Sequence, residues 1–294
     1  MKKVGIILLS LMLVAIIAAG CGGEKKPVNT ETEKPANSAS PAPADGYADG
    51  SYYAEGSFDE KSGWKEVVAL QVEGGKIVQV NWNAVNKNGG PDKKASSQSG
   101  EYGMKAKGNA ASEWHEQAAK LEQFLVDNQA TSAIAVNNEG KTDAVSGVSI
   151  GAGEFVKLVD AALKAGPAER GAYKDGSYYA EADSFDENSG WKETVGITVM
   201  NGNIVAASWN GIHKDGGTDK VTRSKSGEYG MKEIGKAAAE WHEQAHNAEQ
   251  YLIEKQDPAA IAVAADGKTD AISGVSIHVN GFVELAAKAL AGAK

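Results

Sequence analysis

The chain has 294 residues, 42% hydrophobic and 23% charged, with a formal net charge of −9 and a single cysteine. The length suits two cores of ordinary domain size, and the acidic balance argues against nucleic acid as a partner. Lone Cys21 excludes an intramolecular disulfide, a thiol redox pair and a thiolate zinc site, so any redox chemistry needs a borrowed cofactor.

Lys2 and Lys3 open an apolar run from Val4 to Ile17, which closes on Ala18, Ala19 and Gly20 before Cys21. That is the layout of a secretory signal over residues 1–20, shorter than the roughly 20 apolar residues of a spanning helix. A cysteine directly after Ala-Ala-Gly resembles a bacterial lipobox, which makes Cys21 a lipidated first residue and anchors the chain to the outer face of the cell membrane. Residues 21–48 form the expected tether. Between Gly22 and Ala48 lie four of the seven prolines (Pro27, Pro35, Pro41 and Pro43) among polar residues, a composition that cannot bury a core and reads as a disordered, semi-flexible spacer.

From residue 49 onward the sequence occurs twice. Asp49-Gly50-Ser51-Tyr52-Tyr53-Ala54-Glu55 returns at Asp175 to Glu181, Ser62 to Glu66 at Ser189 to Glu193, Ser99 to Lys105 at Ser226 to Lys232, and Glu113 to Ala118 at Glu240 to Ala245. Units of this size are tandem domains rather than solenoid repeats. The expected boundaries are 49–166 and 175–294, joined by a linker at 167–174 where Gly166-Pro167 stops a helix.

Within each unit two strand-like runs flank a turn: Lys65–Val72 and Lys76–Trp82 around Glu73-Gly74-Gly75, then Glu193–Val199 and Ile204–Trp209 around Met200 to Asn203. Asn109–Asn128 reads as a helix, with Trp114, Ala118, Leu121 and Leu125 on one face. Ser132–Val136 reads as a short strand followed by a turn at Gly140, and Glu154–Lys164 as a closing helix. The predicted class is α+β, two tandem homologous domains, each a small antiparallel sheet with helices.

Ahead of each closing helix stands a polar turn, Asp143 to Ser149 and Asp270 to Ser276. Hydroxyls before a helix suit an anion, because the first helical N–H groups are unpaired, although Ser and Asp are also ordinary helix caps. Gly147-Val148-Ser149-Ile150-Gly151 matches the nucleophile elbow of serine hydrolases, with His115 as a conceivable base. The second copy, where His278 replaces the last glycine, speaks against that reading. Met104 and Met231, in identical Gly-Glu-Tyr-Gly-Met-Lys segments, suit either a flat ring system or core packing. The six tryptophans at 64, 82, 114, 191, 209 and 241 fit core positions, His115 and His242 fit structural roles, and no spacing suggests a metal site.

An opening Asp-Gly-x-Tyr-x-Ala-Glu, a hairpin, and a closing Asp-x-x-Ser-Gly-x-Ser before a helix together resemble the FMN-binding domain family, whose terminal Thr or Ser is esterified to FMN by an ApbE-type flavin transferase. The resemblance covers 49–166 and 175–294. It implies two covalent FMN groups, on Ser149 and Ser276. Asp143, Ser146, Gly147 and Val148, and Asp270, Ser273, Gly274 and Val275, would form the recognition motifs. The chain departs from the family pattern where Val148 and Val275 replace a common alanine and serine replaces the commoner threonine. With the lipobox, the resemblance implies a Gram-positive cell-surface electron carrier between membrane electron-transfer proteins (a quinone or NADH dehydrogenase chain) and extracellular acceptors such as ferric iron. A non-catalytic lipoprotein that holds a ligand or cell-wall polymer fits the same aromatic residues, and related lipoproteins release pheromone peptides from the leader.

Overall fold

The computed structural model describes residue 40 and residues 42–294, all within one compact unit, Asn37–Lys294. The leader, Cys21 and the spacer through residue 39 lie outside the described residues, but the end of the expected spacer is packed. Tyr47 lies against the first core, its N–H donates to the Gly75 carbonyl at 3.0 Å and its hydroxyl to the Gln129 carbonyl at 3.1 Å. Each repeat carries a three-stranded antiparallel sheet: β1 (Gly50–Glu55), β2 (Trp64–Glu73) and β3 (Lys76–Asn86) in the first. The second has β4 (Gly176–Glu181), β5 (Trp191–Met200) and β6 (Asn203–His213). The repeated opening motif is thus itself a strand, paired along β2 from Gly50 opposite Val72 to Glu55 opposite Val67.

The hairpin loops are Gly74-Gly75 and Asn201-Gly202, with both residues at positive φ in each, the conformation that matches strand twist and favours Gly and Asn. Along β2, Val68, Leu70 and Val72 point into the first core and Val67 and Ala69 to the opposite face. Two short helices follow in the first repeat, α1 (Lys93–Gln98) and α2 (Met104–Gly108), and then the long α3 (Trp114–Asn128). The long helix starts five residues later than the sequence suggests. Asn109 is left-handed and closes α2, and the backbone N–H of Glu113 donates to Glu116 at 2.7 Å to open α3.

Ser132–Val136 is not a strand. Thr131–Ala133 is a single 3-10 turn, with the Thr131 hydroxyl donating to Asp160 at 2.5 Å and Ile134 fully buried. Two side-chain anchors hold the segment, and no ladder is needed. The closing helix α4 (Gly153–Ala165) packs with α3 over the inner sheet face. The second repeat follows this plan with α5 (Lys220–Lys225), α6 (Trp241–Lys255) and α7 (Asn280–Leu290), the counterpart of α2 being a turn at 231–235. Both cores centre on a tryptophan: Trp82 lies 5.0 Å from Trp114 and 4.9 Å from Phe155, and Trp209 lies 5.1 Å from Trp241 and 5.0 Å from Phe282.

The repeats meet through the outer sheet faces, where Val67, Ala69 and Met200 are buried together. Beside them Asp92, itself 2% exposed, accepts hydrogen bonds from Ser177 Oγ and, at 3.3 Å, from Thr198 Oγ1 of the other repeat. The segment 167–174 is no free tether, since Tyr173 is buried in the second core and its hydroxyl donates to the Gln256 carbonyl at 3.0 Å. Among the described residues no helix is long and apolar enough to cross a membrane.

Candidate functional site

The two polar turns share one construction. Thr142 and Thr269 are buried and accept the N–H of Ala144 and Ala271, each at 3.1 Å, which bends the chain at Asp143 and Asp270. A tight turn follows, with Val148 N–H donating to the Val145 carbonyl at 3.3 Å and Gly147 at φ +73°; its counterpart Gly274 has φ +75°. Glycine is favoured at 147 by its positive φ, and a Cβ there would lie 2.7 Å from Lys120 Nζ, the mobile end of a side chain that sits beside the turn. Val148 is half-buried against the first core and Val275 belongs to the second, so the departures from alanine are packing anchors that pin the turn.

Each candidate serine is held by a buried glutamine. Gln117 Oε1 accepts from the Ser149 N–H at 2.6 Å, the Ser149 hydroxyl at 3.3 Å and the Ile150 N–H at 3.2 Å, while its Nε2 donates to the Ser112 carbonyl at 3.0 Å. Gln244 repeats the pattern on Ser276 N–H (2.7 Å), Ser276 hydroxyl (3.2 Å) and Ile277 N–H (3.3 Å). Both glutamines are 1% exposed, whereas Ser149 and Ser276 lie on the exposed surface. The clamp therefore fixes the backbone of an exposed serine whose hydroxyl also donates to the buried glutamine oxygen. Asp143, Ser146, Asp270 and Ser273 are exposed as well, and among the described residues none hydrogen-bonds to its serine.

The methionine loops are fixed to the same helix ends. Glu113 accepts the N–H groups of Met104 (2.9 Å) and Lys105 (3.1 Å), and Glu240 those of Met231 (3.1 Å) and Lys232 (2.9 Å). Glu113 and Gln117 are four residues apart, so the methionine loop and the serine turn are tied to one face at the start of α3. The methionine side chains themselves are half-buried at the rim of each core.

Ser149 does not itself cap the closing helix: α4 begins four residues later, and the Ala152 and Gly153 N–H groups donate to the Gly140 carbonyl at 2.7 and 3.1 Å, as Val279 N–H, just ahead of α7, donates to Gly267 at 2.7 Å. Positive charge comes from side chains, with Lys141 Nζ donating to the Ser149 carbonyl and Lys120 beside Gly147. The hydrolase elbow is absent too, because His115 Nδ1 pairs with Ser97 Oγ at 2.9 Å, as His242 pairs with Ser224.

A buried ion pair that the sequence reading missed stands twice next to these features. Lys93 Nζ is 3.7 Å from Glu66 Oε1 and 4.8, 5.6 and 5.8 Å from the rings of Trp114, Tyr102 and Trp64. Glu66 also accepts from Trp82 Nε1 at 3.0 Å. Lys220 faces Glu193 at 3.9 Å and the rings of Trp241, Tyr229 and Trp191 at 4.4, 5.5 and 5.9 Å. Burial pushes both lysines below and both glutamates above their ordinary values, against the pull of each partner. The available signal was the recurrence of Gly-Trp-Lys-Glu and Asp-Lys in both copies. Trp64 and Trp191 thus wall the lysine at the rim of each core, while the other four tryptophans fill the interior. In the second repeat Trp209 Nε1 is buried with no hydrogen-bond partner among the described residues.

The solution structure of a protein from Clostridium thermocellum is 61% identical to this chain over 40% of it and 91% of that protein, with a TM-score of 0.33. The crystal structure of a Clostridium perfringens protein is 29% identical over 42% of this chain and 89% of that one, with a TM-score of 0.34. No protein-family model and no curated protein matches the chain.

Proposed function

We propose that the chain is a membrane-anchored extracellular flavoprotein of the FMN-binding type, with FMN carried as a phosphoester on Ser149 and on Ser276. The observation that carries this reading is the duplicated clamp, in which a fully buried glutamine spends its carbonyl on the backbone and hydroxyl of one exposed serine. A serine needed only as a helix cap would stand at the N-cap with its oxygen turned to the helix amides, whereas Ala152 and Val279 hold the N-cap positions here and each serine hydroxyl turns to its glutamine.

The residues present fit the group. Ser149 is an exposed residue, Lys120 and Lys141 supply positive charge to a phosphate beside it, and the methionine loop is tied to the same end of α3 as the serine turn. FMN, when bound, supplies reversible one- and two-electron chemistry. The chain contributes a fixed attachment point, a charged surface for the phosphate and a tether. Covalent attachment suits an exported protein, because a dissociable cofactor would be lost to the medium. Electrons would enter from a membrane quinone or NADH dehydrogenase chain and leave to an external acceptor such as ferric iron, with an ApbE-type flavin transferase as the modifying partner.

Intact mass spectrometry of the full-length protein co-produced with the transferase tests the assignment. The expected result is a gain of two FMN groups, one lost in Ser149→Ala and the other in Ser276→Ala. No gain in mass and no flavin absorbance would refute covalent attachment and favour a ligand-holding lipoprotein.

A further inference from the structure

Where the repeats meet, a cleft of about 380 Å³ is lined by Lys87 and Asn88, between β3 and α1 of the first repeat, and by Val221, Lys225, His242, Glu243, His246, Asn247 and Glu249 of the second. Its volume is in the range of small-molecule sites, about 300 to 1,000 Å³. Both of its carboxylates are already engaged. Glu249 accepts the Trp209 N–H at 2.7 Å and lies 3.5 Å from His246 Nδ1, and Glu243 accepts the Glu240 N–H at 2.7 Å and lies 3.9 Å from Lys232. Lys87 and Lys225 are exposed, and among the described residues neither has a carboxylate within ion-pair distance. The cleft therefore holds two ammonium groups contributed by different repeats, neither directly paired among the described residues, with His242 and His246 in the same lining.

We infer that this cleft is a binding site for a small multivalent oxyanion, a polycarboxylate or a phosphate, gripped from both repeats at once. Lys87 and Lys225 supply the charge, and Asn88, Asn247 and the imidazoles supply donors of adjustable geometry. The corresponding surface of the first repeat cannot do this: Gln98 stands for Lys225, Ala119 for His246 and Lys120 for Asn247. The site belongs to the assembled pair and not to the repeat unit. It also adjoins the second serine turn, since a Cβ at Gly274 would lie 3.5 Å from Asn247 Nδ2. An anion held here sits beside the turn that carries Ser276, yet its binding does not depend on any group attached there.

Protonation strengthens the site. The hydrogen bond to Glu249 holds His246 above its ordinary value, while burial holds His242 below it, with Lys225 opposing the charge on both rings. The cleft becomes more positive as His246 takes up a proton.

Calorimetric titration of the full-length protein, prepared without the flavin transferase, with citrate and separately with inorganic phosphate decides the matter. Saturable binding of at least one anion is expected, weakened about tenfold or more in Lys87→Gln/Lys225→Gln and unchanged in the control Lys61→Gln/Lys76→Gln. The affinity ratio of the parent protein to His246→Gln should widen from about pH 7.5 to about pH 5.5, a comparison in which the anion's own protonation cancels. The citrate and phosphate arms identify the anion class. Binding of neither anion, or equal loss in the control pair, would overturn the assignment. Because the protein is flavin-free, this outcome is independent of the mass measurement at Ser149 and Ser276.

Discussion

The glutamine clamp concentrates three hydrogen bonds on one buried carbonyl oxygen in each repeat. Truncating it strands backbone N–H groups that burial keeps from water. Gln117→Ala should cost about 1 to 3 kcal/mol in chemical denaturation and speed amide exchange at Ser149 and Ile150, while Gln117→Glu should keep much of the stability by preserving the acceptor. A second residue-scale contrast is electrostatic. In the first repeat Glu122 is paired with Lys94 at 2.7 Å; in the second, Val221 replaces that lysine and His246 pairs with the equivalent Glu249 at 3.5 Å. The hydrogen bond to Glu249 raises His246 in the folded state. Its contribution is therefore complete below the unfolded value of about 6.5 and fades as pH rises through the higher folded value. Melting temperatures of the parent protein and His246→Gln should differ at about pH 5.5 and converge above neutrality; a constant gap would refute the pairing.

At the scale of elements, the buried Lys93–Glu66 and Lys220–Glu193 pairs join the second strand of each sheet to the short helix beneath the long one. Such pairs contribute little net stability, but removing one partner leaves an uncompensated charge. Lys93→Met should destabilise by about 3 to 5 kcal/mol, and Lys93→Met/Glu66→Leu should recover most of it, as measured by urea unfolding. The hairpins, the long helices and the closing helices were legible because their patterns are local: paired positive-φ loop residues, an apolar stripe at helical spacing, a glycine stop. Ser132–Val136 was misread for the opposite reason. Its alternation looks strand-like, but Thr131 and Ile134 anchor to other elements, and alternation alone cannot distinguish a ladder from two isolated anchors.

For the whole molecule, Asp92 couples the repeats. It caps α1 through Ala95 N–H at 3.0 Å and also receives Ser177 and Thr198 from the neighbouring sheet. Asp219 caps α5 in the same way but spends its second oxygen on Thr222 of its own repeat. Asp92→Ala and Asp219→Ala therefore share the loss of a cap, about 1 kcal/mol. Only Asp92→Ala should also raise amide exchange across the seam at Val67, Ala69 and Met200. Equal exchange in the two variants would show that the repeats are not coupled through this carboxylate.

The duplication, the α+β class, the turn positions and the two candidate serines were determined by the sequence itself, because repetition and local backbone chemistry are written along the chain. Only the tertiary structure decided what those serines face. Gln117 is 32 residues from Ser149 and Lys93 is 27 from Glu66, and no periodicity records such a pairing. The seam cleft is more distant still, since Lys87 and Lys225 meet only when two independently patterned sheets pack back to back. Its two lysines come from different repeats, and Gln98 stands in the first repeat at the position of Lys225, so neither copy read alone records the cleft.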